Sequence, residues 1–128
     1  MQNTNDQNSK LKNQPAKQYD LEDRTLRFAK RVIGYVDSLA KTMAHQEITH
    51  QLIRSVGSVG ANYIEANESL SKKDFVMRIK ISRKEAKETR YWLELSEPRN
   101  ELQEEKCALL KESTELMKIL GAILEKCK

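Results

Sequence analysis

Glycine, proline, cysteine and aromatic side chains are all scarce in this sequence. Among 128 residues there are four Gly, two Pro and two Cys, and Phe, Trp and Tyr together make up 5%. So few turn-forming residues argue against a β fold built from many short strands. Cys107 and Cys127 are too few and too far apart for a disulfide scaffold, a zinc knuckle or a CxxC redox pair. Both lie in apolar helical patterns, so they are expected as reduced, buried core thiols. There are only two histidines. No apolar run approaches the roughly 20 residues that span a bilayer. The opening MQNTNDQNSKLKNQ lacks the apolar stretch of a secretory signal, which leads us to expect a cytoplasmic protein with no membrane partner.

What is abundant is charge, at 33% of residues, set against 38% hydrophobic residues. This mixture suits long helices with one apolar side. At 128 residues the chain is long enough for one core and too short for two. Residues 1–18 are rich in Asn, Gln and Lys without apolar periodicity, and are expected to form a disordered polar tail. The remainder, 19–128, reads as one domain with helices at about 21–43, 47–69, 72–96 and 100–126.

Leu21, Thr25, Phe28, Val32, Val36, Leu39 and Met43 recur at steps of three and four and form one stripe, with Asp20 as the candidate N-cap. Ile48, Leu52, Val56, Val59 and Tyr63 do the same on the second helix, beside a second line of Ile53, Gly57, Gly60 and Ile64. Ser71 with Asp74 gives a capping signature for the third helix. There Phe75, Ile79, Ser82, Ala86 and Leu93 face one way, and Met77, Ile81, Trp92 and Leu95 another. Pro98 and Asn100 supply a break, after which Cys107, Leu110, Met117, Leu120 and Leu124 are expected to pack the fourth helix. Short joints between helices of similar length favour antiparallel neighbours, so the expected fold is all-α, an up-down-up-down four-helix bundle.

Several short patterns invite a chemical reading. Glu47-Ile48-Thr49-His50 matches the Glu-x-x-His element of di-iron bundles, but such a centre needs a second copy and two more inward carboxylates. His45-Gln46-Glu47 spells the H-x-E of zinc deaminases without the P-C-x-x-C that completes it. Neither supports an enzyme, and no cofactor is expected. Gly57-Ser58-Val59-Gly60 could be a backbone-clamping GxxG, but in a helix it is better explained by close helix packing, because each internal Gly costs about 1 kcal/mol relative to Ala. Asn67 projects toward the apolar arc and is expected to help fix helix register.

The net charge is +4, and its distribution is uneven. Residues 71–93 carry eight Lys or Arg against three acids. Lys73, Lys80, Arg83, Lys84, Lys87 and Arg90 fall within about a third of the helical circumference, apart from Asp74, Glu85 and Glu88. A one-sided basic strip can line a phosphate backbone, RNA or DNA, without strong sequence preference. Its alternative is a scaffold that meets an acidic protein partner. Tyr91-Trp92 at the end of the strip could stack bases, or Trp92 could belong with Met77 and Ile81 in a subunit contact.

The segments DLEDRTLRFAKRV at 20–32, QLIRSVGSVGANYIEA at 51–66 and SKKDFVMRIKISRKEAKETRYWL at 71–93 carry a resemblance to a known family. The chain, from about Tyr19 to Leu124, resembles the four-helix bundles encoded by intervening sequences in bacterial 23S ribosomal RNA genes, also labelled S23. The resemblance extends to the accessory protein of diversity-generating retroelements. It implies a ring-shaped homopentamer, a nucleic-acid surface and a protein partner such as a reverse transcriptase. Gly57, Gly60, Ile64, Met77, Ile81 and Trp92 would then lie at the subunit interface, since a lone bundle would leave the second apolar lines in water. Departures are the Asn/Gln-rich leader and the two glycines, where family members often carry other small residues.

Overall fold

The computed structural model describes residues 17–128, with side chains from Leu21 onward. Four helices follow one another: α1 (Lys17–Asp37), α2 (Met43–Asn67), α3 (Lys72–Leu95) and α4 (Gln103–Lys126), the last preceded by a 3-10 turn at Asn100–Leu102. There is no strand among the described residues. The expected polar tail lies outside the described residues except at its end, where Lys17 and Gln18 begin α1.

Cross-helix contacts fix the topology. On α2 and α3, Ser55 meets Thr89, Val59 meets Ser82 and Asn62 meets Arg78, so one index rises as the other falls. The same inverse order relates α1 to α4 through Arg24–Glu112 and Arg31–Glu105, and α3 to α4 through Arg90–Thr114 and Arg83–Gly121. Each helix packs on its sequence neighbour, and α1 closes the ring against α4. This is an antiparallel bundle with short joints.

The core consists of the stripes that the periodicity selects. Leu21, Phe28, Val32, Val36 and Leu39 from α1 and its joint, Leu52, Val56 and Tyr63 from α2, and Ile79 and Leu93 from α3 are all buried. Tyr35 is buried as well, and its hydroxyl lies 2.6 Å from Ser96 Oγ, which in turn donates to Leu93 O at the end of α3. Burial raises the Tyr35 pKa, with the Ser96 hydrogen bond working against the rise.

Three expectations are corrected. The first helix ends at Asp37 rather than near residue 43. Ser38 N and Oγ both bond Tyr35 O, and Leu39 N bonds Val36 O, which closes the helix. Thr42 then caps α2 by accepting from His45 N at 3.1 Å. Met43 therefore starts α2 and is 88% exposed. Asp20 is inside α1 rather than at its cap.

The second correction concerns α4, whose buried residues are Leu109, Ser113, Leu116 and Leu120. Leu110, Met117 and Leu124 flank that stripe and are half-buried. Apolar residues stand side by side at 109 and 110, 116 and 117, and 123 and 124, so period alone could not choose the line that faces inward. The third is that Cys107 is exposed and Cys127 only partly buried: Cys107 sits off the chosen line, and Cys127 is the cap residue beyond the end of α4.

The joints are fastened by side chains. His45 receives Glu97 N–H on Nε2 at 3.2 Å, which leaves Nδ1 to donate to Ala40 O at 3.1 Å. It thus ties the α1–α2 joint to the segment after α3. Lys106 Nζ donates to Ser96 O at 2.6 Å and Glu94 O at 3.2 Å, satisfying carbonyls at the negative end of α3.

These placements separate two substitutions on one helix. Leu109→Ala should cost about 2–5 kcal/mol in urea unfolding, the range for an emptied leucine site. Cys107→Ser should stay within about 0.5 kcal/mol of the parent. A large loss at Cys107 would contradict the assigned face of α4.

Candidate nucleic-acid interface

Helix α3 presents three different flanks. One faces the core through Ile79, Ser82, Ala86, Thr89 and Leu93, all buried. Its seam with α2 is made of small polar residues: Ser82 Oγ donates to Val59 O at 2.7 Å, and Thr89 Oγ1 lies 2.8 Å from Ser55 Oγ. Short side chains let the two backbones approach, and these bonds fix the rotation of α3.

The flank toward α2 collects the acids. Arg54 Nη1 donates to Glu85 Oε2 and Nη2 to Glu88 Oε2, each at 3.2 Å. The Glu85 side chain is only 9% exposed, and its Oε1 has no hydrogen-bond partner. Burial holds the Glu85 carboxyl above its ordinary value, its hydrogen bond with Glu88 adds to the rise, and Arg54 opposes it. Glu88 is lowered, first by that same bond with Glu85 and then by Arg54. Of the two carboxyls, Glu85 therefore gives up its proton less readily than Glu88.

The flank toward α4 collects the cations. Two adjoining hollows of about 650 and 470 Å³ run between α3 and α4 and share Lys87 and Met117. Lys80, Arg83, Lys84 and Lys87 line one; Lys87 and Arg90 line the other, with Tyr91, Glu94 and Leu95. Five of the six strip residues meet in this groove, while Lys73 is exposed outside it. Arg90 is committed, donating to Thr114 Oγ1 at 2.9 Å and Glu94 Oε1 at 2.6 Å. Lys80, Arg83, Lys84 and Lys87 have no acidic partner at ion-pair distance among the described residues. The Arg83 guanidinium lies over Gly121, where an added Cβ would come within 3.4 Å of it.

With this geometry in view, the comparison with known proteins is direct. Residues 17–122 match the family model described as 23S rRNA-intervening sequence protein. The chain belongs to this family. A crystal structure of a protein of unknown function from the S23 ribosomal protein family of Bacteroides thetaiotaomicron is similar, with 33% identity, 85% of this chain and 98% of that one covered, and a TM-score of 0.71. No curated protein matches. For this intervening-sequence protein, membership accounts for the bundle and leaves the use of its surfaces to be argued from their chemistry.

The residues assigned to a subunit interface fall into separate groups. Ile64 and Met77 are 47% and 48% exposed, and Gly57 is exposed with open space where a Cβ would stand. Gly60 has a reason within the chain, because a Cβ there would meet Thr25 Oγ1 of α1 at 2.9 Å. Ile81 and Trp92 are half-buried, Trp92 packing against the core. Glu47 and His50 are exposed on α2, and no three His, Cys, Asp or Glu residues converge as a metal site among the described residues. Asn67 is half-buried and donates to Glu22 Oε2 at 2.9 Å, linking the end of α2 to α1. The groove itself escaped sequence reasoning; the half-buried Met117 and Leu124 on the facing helix were its signal.

Glu85→Gln tests the acid flank. A raised folded value means that the stability from Glu85 protonation is complete below the unfolded value near 4.5 and is lost as pH rises through the folded value. Glutamine keeps the protonated form's hydrogen bonding at every pH. The variant should be more stable than the parent at pH 7, by about 1 kcal/mol, with the gap closing toward pH 4 in urea melts. An equal effect at both pH values would contradict the raised folded value.

Proposed function

We infer that the chain is a non-enzymatic, oligomeric bundle that binds RNA or DNA through backbone contacts from the basic flank of α3. The observation that supports this is the sorting of charge on one helix. Glu85 and Glu88 are engaged by Arg54 on the α2 side, and neither makes an ion pair with Lys80, Arg83, Lys84 or Lys87, which line the α4 side. Cations that neutralise phosphates release counterions, which gives affinity without sequence selectivity.

Assembly would strengthen the same field by repeating a +4 chain. The supporting feature is the apolar surface left in water: Ile53, Ile64, Met77 and Leu95 are each 46–48% exposed. A homopentamer with neighbouring bundles packed along α2 and α3 would cover it, and such a ring could also seat a protein partner such as a reverse transcriptase. No helix among the described residues is long and apolar enough to cross a membrane.

Two measurements test this reading. In filter-binding titrations, replacing Lys80, Arg83, Lys84 and Lys87 with Glu should abolish affinity at low salt, and single changes should each lower the salt slope by about one. Undiminished binding by the fourfold variant would refute the assigned surface. In light scattering the parent should have a pentamer's mass, and Ile64→Lys with Met77→Lys should give folded monomers. A monomeric parent would remove the assembly proposal.

A further inference from the structure

A duplex needs only a basic surface, whereas the groove between α3 and α4 offers more than charge. Beneath the lysines its floor is apolar, with Met117 shared by both hollows, Leu124 at one end and Leu95 at the other. Tyr91 stands at that second end and is 59% exposed. Trp92 meets the Tyr91 ring edge-on, with centroids 5.2 Å apart and planes at 80°, a contact that favours one placement of the accessible ring.

Resting on the nucleic-acid reading above, we propose that this groove takes single-stranded nucleic acid in preference to duplex, with phosphates along Lys80, Lys84 and Lys87 and a base stacked on Tyr91. The three lysines are four and three residues apart on one helix, which places them at intervals of about 6 and 4.5 Å along its axis. Hollows of about 650 and 470 Å³ are of the size that encloses a small ligand or a nucleotide, and a whole duplex is too wide to enter. In a duplex the faces of internal bases are hidden in the stack, so the apolar floor and Tyr91 gain nothing from it. In a single strand those faces are available, and base–aromatic stacking is tolerant of sequence. An acidic amphipathic helix would share the charge complementarity, but it makes no particular use of an exposed aromatic ring at the end of a lysine row.

The test uses the full chain in fluorescence anisotropy, with a labelled oligouridylate and an RNA duplex of the same length, about 15 nucleotides, at one salt concentration. The single strand should bind about tenfold more tightly or better. Tyr91→Ala should lose about tenfold on the single strand and leave duplex affinity unchanged, while Tyr91→Phe should retain parental affinity. Because Tyr91 is exposed, circular dichroism melts of these variants should match the parent. Equal affinity for both probes, or a Tyr91→Ala loss shared by both, would overturn the single-strand preference and leave the nucleic-acid reading standing. Failure to bind either probe would overturn both. Displacement of the oligouridylate by an acidic amphipathic peptide of equal or higher affinity would assign the groove to a protein partner instead.

Discussion

The close seam between α2 and α3 is the constraint on which the other surfaces depend. Ser55, Val59, Ser82 and Thr89 bring the two helices together through short side chains and two buried hydrogen bonds. Each bond contributes about 0.5–1.5 kcal/mol net, but its larger consequence is geometric. Once α3 is held in that rotation, Glu85 and Glu88 must face Arg54, and the lysines must face α4. Turning α3 by a few tens of degrees would break both seam bonds and draw the two carboxylates away from Arg54.

Glu85 shows how little slack that seam has. A carboxyl with one unpartnered oxygen is a costly thing to bury, and that burial holds its pKa above the ordinary value. Arg54 offsets part of that cost by reaching both carboxylates, and such a pair alone is weak evidence for stability. On the opposite side of the bundle, α1 and α4 are joined by more conventional pairs. Arg24 reaches both oxygens of Glu112 at 2.7 and 2.8 Å, and Arg31 does the same to Glu105 at 3.2 and 2.8 Å. Those pairs link α1 to α4 at the rim of the shared apolar core, which supplies most of the closure because exposed ion pairs contribute little.

The two faces left open are different in kind. Along α2 and α3, Ile53, Ile64, Met77 and Leu95 form scattered apolar surface without a cationic row, which suits contact between chains. Between α3 and α4 the apolar floor lies under lysines, which suits an anionic chain with flat apolar faces. Leu95 borders both, so assembly and ligand binding would meet at the end of α3.

Periodicity alone determined the four helices, the inward lines of α1 and α2, and the Ser71 cap, whose hydroxyl accepts Asp74 N–H at 3.1 Å. It also placed the cations on one side of α3, because spacing along a helix fixes angle. It could not choose between adjacent apolar lines on α4, since Leu109 and Leu110 satisfy the same period and only the position of α1 and α3 decides which is buried. Nor could it end α1 at Asp37, where the local bonds of Ser38 and the Thr42 cap outweigh a continuing apolar pattern. Gly60 against Thr25, His45 between two joints, and Arg54 between two carboxylates each join residues far apart in the chain. The groove depends on the same kind of distant pairing: the sequence supplies its lysines, and the packing of α4 supplies the floor beneath them.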